Sequence, residues 1–397
     1  MKLTAKIYTY ILSLFCASLP FTDIAKALPN ILLCVLVLLT PFIFLKEKFQ
    51  TIKKPLLIIL TLLLFIISIT VVLGRWEDLK IIERLFYLPL ILVLTSQSQN
   101  IRQHLLAFVL SAATLLTLSG FNLITEYLRE GELILNTGGK VDELLLGARP
   151  YVSFMYLISA YACFYLSSIS QKKHKLSLVC LGIIFIGFIF LIASRISILS
   201  LIFSLIFSTI YFFRKPKYHL NLFIGVFGLG TLLFIFSDTI GKRFFVNVET
   251  ATRLASEPRY HIWECASSEL TTDAKTWLFG KGFYGTEEAL VNCYSSRDRF
   301  LSEDQQQWFV NSRFNTHNQY IDLLLSTGVI SLVIFIFFLA WLGVKSLKSY
   351  YALNFMLFTL LFLFTENLLV RQIGLMLISM VFYFVLQISS KTNLKKQ

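Results

Sequence analysis

The chain has 397 residues, of which 56% are hydrophobic, 38 are Phe and only 15% are charged, and its mean hydropathy is +0.72. Those values lie far outside the range of soluble domains and exclude a water-soluble globular fold. The formal net charge of +13 would suit a nucleic-acid partner, but its placement along the chain reads as membrane topology and argues against one.

A hydrocarbon core of about 30 Å takes about 20 helical residues to cross. Apolar runs of that order occupy 7–22, 28–45, 55–74, 79–95, 104–123, 150–169, 176–193, 196–213, 219–238, 317–344, 351–367 and 369–388. The sequence therefore predicts an all-α polytopic membrane protein of about twelve transmembrane helices, nine of them in residues 1–240 and three in 317–397. The first run is the weakest, since Pro20, Asp23 and Lys26 crowd its exit, and the two runs around Ser194-Arg195 can also be read as one broken helix. An even count leaves both termini on one side.

Short loops rich in Lys and Arg stay in the cytoplasm. Lys2 and Lys6, Lys46, Lys48, Lys53 and Lys54, Arg102, Lys172, Lys173 and Lys175, Arg214, Lys215 and Lys217, Lys345 and Lys348, and Lys391, Lys395 and Lys396 fall on alternate connections. Of the 23 acidic residues only Glu47 lies among them. That face is the expected cytoplasmic one, and both termini belong to it.

The opposite face carries two loops. The smaller, from about Glu126 to Arg149, mixes Glu130, Glu132, Asp142 and Glu143 with Lys140 and Arg149, and Gly138-Gly139 reads as a turn. The larger spans 241–316 and is polar throughout; a long connection of this kind is usually functional. Within it, Ser256-Glu257-Pro258-Arg259 reads as a helix start leading into Tyr260 to Leu270. The expectation is a partly helical cap on the outer membrane surface. No cleavable signal peptide is expected, because the first helix lacks a small-residue cleavage pattern.

Cys16, Cys34, Cys163 and Cys180 fall within expected helices and read as small core residues. Cys265 and Cys293 both lie in the large loop. In an oxidising compartment they can pair as a disulfide; two unpaired buried thiols are the other reading, and the sequence leaves both open. No Cys/His grouping has metal-ligand spacing, and no Gly-rich phosphate loop is present.

His317 stands where the large loop meets an apolar helix. Thr316 and Gln319 have the capping-box form, which places His317 at the first helical position. There the helix dipole disfavours imidazolium, and a neutral histidine is a competent general base. Arg195 sits with Ser194 between two apolar runs, at the outer boundary, where a bound anion or a carboxylate suits it. Arg259 lies four residues before Trp263, on one helical face. A guanidinium fork suits a diphosphate because it donates two parallel hydrogen bonds. Arg84, Tyr320 and Arg371 are further candidates for substrate binding, although Glu83 and Glu366 are placed to neutralise the two arginines.

Ser194-Arg195 opening a helix, Arg259-Tyr260-His261-Ile262-Trp263, Leu278-Phe279-Gly280-Lys281-Gly282-Phe283, and His317-Asn318-Gln319-Tyr320 with Gly328 eleven residues after the histidine occur in that order on one face. Together with the topology, this pattern resembles the O-antigen ligase and polymerase superfamily, over roughly residues 176–345. The resemblance implies an inverting glycosyltransferase of the bacterial inner membrane that uses no metal or other cofactor. Its donor would be a polysaccharide on undecaprenyl diphosphate and its acceptor a hydroxyl of the lipid A-core, both met at a periplasmic loop, here residues 241–316. By motif, His317 would be the base, and Arg195 and Arg259 would hold the donor diphosphate.

The single dominant loop and the Arg259-to-His317 arrangement favour a ligase; the 126–149 loop keeps a polymerase, which would extend the lipid-linked glycan, as the alternative. A lipid-glycan transporter also fits twelve helices, but its charges would sit near the bilayer midplane, whereas these gather at the outer boundary.

Overall fold

The computed structural model describes residues 2–98, 100–131, 138–212, 258–271, 274–296 and 302–394, with a few single positions between 225 and 235. Most of the expected span at 219–238, the start of the large loop through Ser256-Glu257, and Glu132, Arg214, Lys215, Lys217, Lys395 and Lys396 lie outside the described residues.

The described residues fold as helices and turns. In chain order the helices are α1 (Lys2–Ser18), α2 (Leu28–Ile43), α3 (Lys46–Val72), α4 (Leu79–Leu85), α5 (Tyr87–Ser96), α6 (Ile101–Glu130), α7 (Gly138–Leu144), α8 (Arg149–Ile169), α9 (Lys172–Leu191) and α10 (Arg195–Phe212). Then come α11 (Pro258–Leu270), α12 (Ala274–Phe279), α13 (Phe283–Ser295), α14 (Glu303–Ser312), α15 (Gln319–Ser346), α16 (Tyr350–Thr365) and α17 (Gln372–Leu394). Among the described residues, 8 helices are long and apolar enough to cross a membrane, and α2 and α16 are shorter apolar helices.

Two local expectations need correction, and a third point, which the sequence left open, is decided for two helices. The run at 79–95 is two helices, α4 and α5, joined at Phe86. Gly138-Gly139 opens a helix, because α7 buries Val141 and ties Lys140 to Glu126 on the outer end of α6. Ser194-Arg195 marks a reversal between two separate helices, with Ala193 in the left-handed region at φ 46°.

Two packing features position the end of the bundle that carries His317. First, α10 runs antiparallel to α16: Ser208 pairs with Tyr350 through their hydroxyls at 2.6 Å, and one turn further along each helix Ser204 donates to Asn354. Carried on in the same register, Arg195 comes level with the last turn of α16.

Second, α15 is broken at Gly328, whose φ of 82° and ψ of 173° leave the helix. The break admits the Leu278-to-Gly282 segment, so that Lys281 N–H donates to Leu325 O at 2.7 Å and Gly282 N–H to Ser326 O at 2.8 Å. Backbones touch here: a Cβ on Gly328 would lie 2.1 Å from Leu278 O, and one on Gly280 only 2.3 Å from Ser326 C. Arg75, between α3 and α4, straps the segment from the other side, donating to Phe279 O at 3.1 Å and Gly280 O at 2.6 Å. The glycines of the Leu278-to-Phe283 motif thus have a mechanical purpose. They dock α11 to α14 on the first turns of α15, which begin next to His317.

Candidate active site

Helices α11, α13 and α14 share a core of their own. Ile262, Cys265 and Ala266 of α11, Leu290 and Tyr294 of α13 and Phe309 of α14 cluster with Leu325 of α15. A disulfide joins Cys265 to Cys293, with their Cα atoms 5.8 Å apart, and fixes α11 against α13. Tyr294 donates to Phe314 O at 3.2 Å, and its burial pushes the phenol pKa up. This core holds α11 rigidly, and α11 carries Arg259 and Trp263 one turn apart toward the start of α15.

His317 is not the first residue of a capped helix. Asn318, with extended backbone, is the N-cap: its Oδ1 accepts from Tyr320 N–H at 3.0 Å and Ile321 N–H at 3.2 Å. Gln319 cannot reach back as a capping box requires, because its Oε1 accepts from Leu369 N–H at 2.7 Å. His317 lies just outside the helix with φ at 44°, in the left-handed region. Such a conformation costs on the order of 1 kcal/mol or more outside glycine and collects at functional sites. It is held from both sides. Asn315 Oδ1 accepts from His317 N–H at 3.1 Å, and Trp263 Nε1–H donates to Thr316 O at 2.9 Å.

Behind the histidine is a buried polar lattice. Asn367 Nδ2 donates to Asp322 Oδ1 at 2.9 Å and to Thr316 Oγ1 at 3.1 Å, while Thr316 Oγ1 donates to Asn318 O at 2.9 Å. The lattice ties the mouth of α15 to the connection between α16 and α17.

That connection supplies the residue at the centre of the site. Glu366, with a side chain only 10% exposed, contacts Arg259 with one oxygen and His317 with the other: Arg259 Nη2 to Oε1 is 3.2 Å, and His317 Nδ1 to Oε2 is 3.6 Å. Arg259 Nη2 also donates to Thr365 O at 3.2 Å. Glu366 therefore pairs with Arg259 and His317 rather than neutralising Arg371, as the sequence suggested. At 3.6 Å the contact with His317 is an approach rather than a hydrogen bond; a carboxylate drawn onto Nδ1–H would favour the tautomer whose Nε2 lone pair can take a proton.

The other candidates divide. Arg195 begins α10 at the level of this connection, beside Ser194, whose Oγ donates to Ser153 Oγ at 2.8 Å. Arg84 donates to Val370 O at 3.3 Å, and the Arg371 guanidinium lies 5.7 Å from the Tyr151 ring centre, so both adjoin the same connection without meeting Glu366. Tyr320 turns into the bundle, its hydroxyl 3.4 Å from Leu360 O. Among the described residues no group of three or more His, Cys, Asp or Glu side chains is arranged to hold a metal.

Sequence reasoning missed Glu366 and Asn367 as site residues. The available signal was position: an ionisable residue at the mouth of an apolar helix is by default a functional candidate, and Thr365-Glu366-Asn367 stands there between two apolar runs.

No curated protein matches the chain in sequence. Residues 180–336 match the family model described as O-antigen ligase, a stretch that begins in α9 and ends in α15 and so contains Arg195, Arg259 and His317. That match covers about two fifths of the chain, and over it the chain is similar to the O-antigen ligase family.

Proposed function

We propose that the protein is an O-antigen ligase, a glycosyltransferase that moves polysaccharide from undecaprenyl diphosphate to a hydroxyl of the lipid A-core at the periplasmic face of the inner membrane. The observation that carries the reading is the joint hold of Glu366 on His317 and Arg259 at the outer mouth of α15. The lysine pattern and the Cys265–Cys293 disulfide support an outward, oxidising location for that mouth.

In this mechanism His317 Nε2 takes the proton of the acceptor hydroxyl as its oxygen attacks the anomeric carbon. Glu366 steadies the imidazolium from Nδ1. Arg259 uses one terminal nitrogen on the protein, and the remaining N–H groups of its fork, with Arg195, hold the donor diphosphate. A lipid diphosphate is a good leaving group once cations follow the charge growing on its oxygen, so general acid and metal are both dispensable. Attack opposite the leaving group inverts the anomeric centre. A general base in such a step contributes about a hundred- to ten-thousand-fold.

The test is complementation of a ligase-deficient Gram-negative host that supplies donor glycan and core, comparing wild type with His317→Ala and reading lipopolysaccharide on a gel. A polymer ladder on lipid A-core with wild type alone is the expected result. Lipid-linked glycan that lengthens without reaching the core would make the protein the polymerase instead.

A further inference from the structure

At the end of the bundle away from His317, a cavity of about 470 Å³ opens between α3, α5, α15 and α17. The part of α15 beyond its break at Gly328 alone separates the two ends by about 27 Å, so this cavity has no part in the chemistry proposed above. Its volume is within the roughly 300–1,000 Å³ of small-molecule sites.

Lys48, Lys54, Lys345 and Lys348 line it, and among the described residues no carboxylate does. Glu47, the one acidic residue among the cations of that face, is exposed at the start of α3. Lys48 is held at the rim by donating from Nζ to Gln97 O at 2.6 Å, and Lys345 by lying over the Trp341 ring at 5.5 Å. Like charges are costly to gather on a low-dielectric wall unless an anion joins them.

A second observation is independent of charge. Ser389, 4% exposed, is part of the cavity wall, and its Oγ has no hydrogen-bond partner. Its neighbours do otherwise: Thr95 donates to Ile91 O at 2.7 Å, Ser96 to Val93 O at 2.6 Å and Ser390 to Gln387 O at 2.9 Å. A buried hydroxyl without a partner is rare enough to require an explanation.

Leu92, Trp341 and Leu386 make part of the wall apolar, beside the polar Gln50, Thr51, Tyr383 and Gln387. Beside the lysines at the end of α15, Val344 and Leu347 are 65% and 59% exposed, a surface suited to lipid chains. A hydrated ion would use the lysines and leave that surface unexplained.

We infer that this cavity binds the phosphate head group of an anionic membrane lipid, with the lysines and Ser389 on the phosphate and the lipid chains against Val344, Leu347 and the apolar wall. Basic pockets between membrane helices on the lysine-rich side have the chemistry for such head groups.

The test uses the full chain purified in neutral detergent and titrated with phosphatidylglycerol, phosphatidylcholine or inorganic phosphate, reading bound lipid by native mass spectrometry and melting temperature in parallel. Lys54 and Lys348 are exposed, so K54Q/K348Q is expected to fold; K172Q/K173Q, on exposed lysines of the same face outside the cavity, is the control. One saturable phosphatidylglycerol is expected on wild type and on the control. It should weaken roughly thirtyfold in K54Q/K348Q, about fivefold per lysine, and S389L should lower it too by filling the wall. Four results would overturn the inference: undiminished binding to K54Q/K348Q, equal loss in the control, equal binding of phosphatidylcholine, or inorganic phosphate alone reproducing the whole thermal shift.

Discussion

Replacing Glu366 with Gln separates catalysis from architecture at this site. The substitution keeps size and shape at a side chain only 10% exposed, but removes the charge that faces His317 Nδ1 at 3.6 Å and Arg259 Nη2 at 3.2 Å. A full charge pair at 3.6 Å is worth on the order of 4 to 5 kcal/mol at an effective dielectric constant of about 20. With about half of the proton's charge on the imidazole in the transition state, the carboxylate lowers the barrier by about 2 kcal/mol, on the order of thirtyfold in rate. Arg259 adds a second consequence. It requires an acceptor, so the amide oxygen of the substituted side chain turns to the guanidinium and the amide NH₂ meets His317 Nδ1. That favours the tautomer with hydrogen on Nε2, which cannot accept a proton, and the loss then grows toward about ten-thousand-fold. The assay is glycan transfer by purified protein in detergent, normalised to folded protein, with donor and acceptor varied separately. The expected result is a kcat lowered at least thirtyfold with no rise in KM for the donor, because Arg259 has lost its competing carboxylate. A kcat within threefold of wild type, or a loss accounted for by less folded protein, would refute the reasoning.

His317→Ala should abolish transfer while the amount of protein in the membrane stays at the wild-type level; substantial activity would remove the residue from the base role. Arg259→Lys should be nearly as damaging as Arg259→Ala, since a point charge cannot serve Glu366, Thr365 O and a diphosphate as a planar fork does; a fully active lysine variant would remove the bidentate contact from the mechanism. Transfer should persist in EDTA, and a loss that a divalent cation restores would overturn the metal-free mechanism. Asn318→Ala removes the acceptor for two N–H groups at the start of α15 and should cost about 1 kcal/mol of stability, seen as a lowered melting temperature.

The helices were legible because hydropathy and helix length are coupled by the thickness of the bilayer. Each expected span outside 219–238 has a helical counterpart, and where boundaries moved the cause is local. Phe86 divides a span just after Lys80, Glu83 and Arg84 interrupt its apolar run, and α6 runs on to Glu130 because its last turn pairs with α7 through Glu126 and Lys140. Propensity patterns see neither a bend inside a span nor a partner supplied from the next loop.

At the site the sequence named two of the three interacting side chains and misplaced the link between them. Thr316 and Gln319 have the spacing of a capping box, but both are drawn into contacts with Asn367 and Leu369, residues some fifty positions away. Asn318 then caps α15 alone, and His317 is displaced from the helix into the left-handed conformation that sets its ring against Glu366. The local signal thus failed for the reason the site exists. The mouth of α15 is shaped by its packing on the α16–α17 connection and on α11, and a pattern read along one segment cannot register a carboxylate that arrives from another. Asn367 is for that reason the residue to watch beside Glu366. It has no atom on His317, yet it anchors Thr316 and Asp322 on either side of the Asn318 cap, so a change there should act on catalysis only by way of where His317 stands.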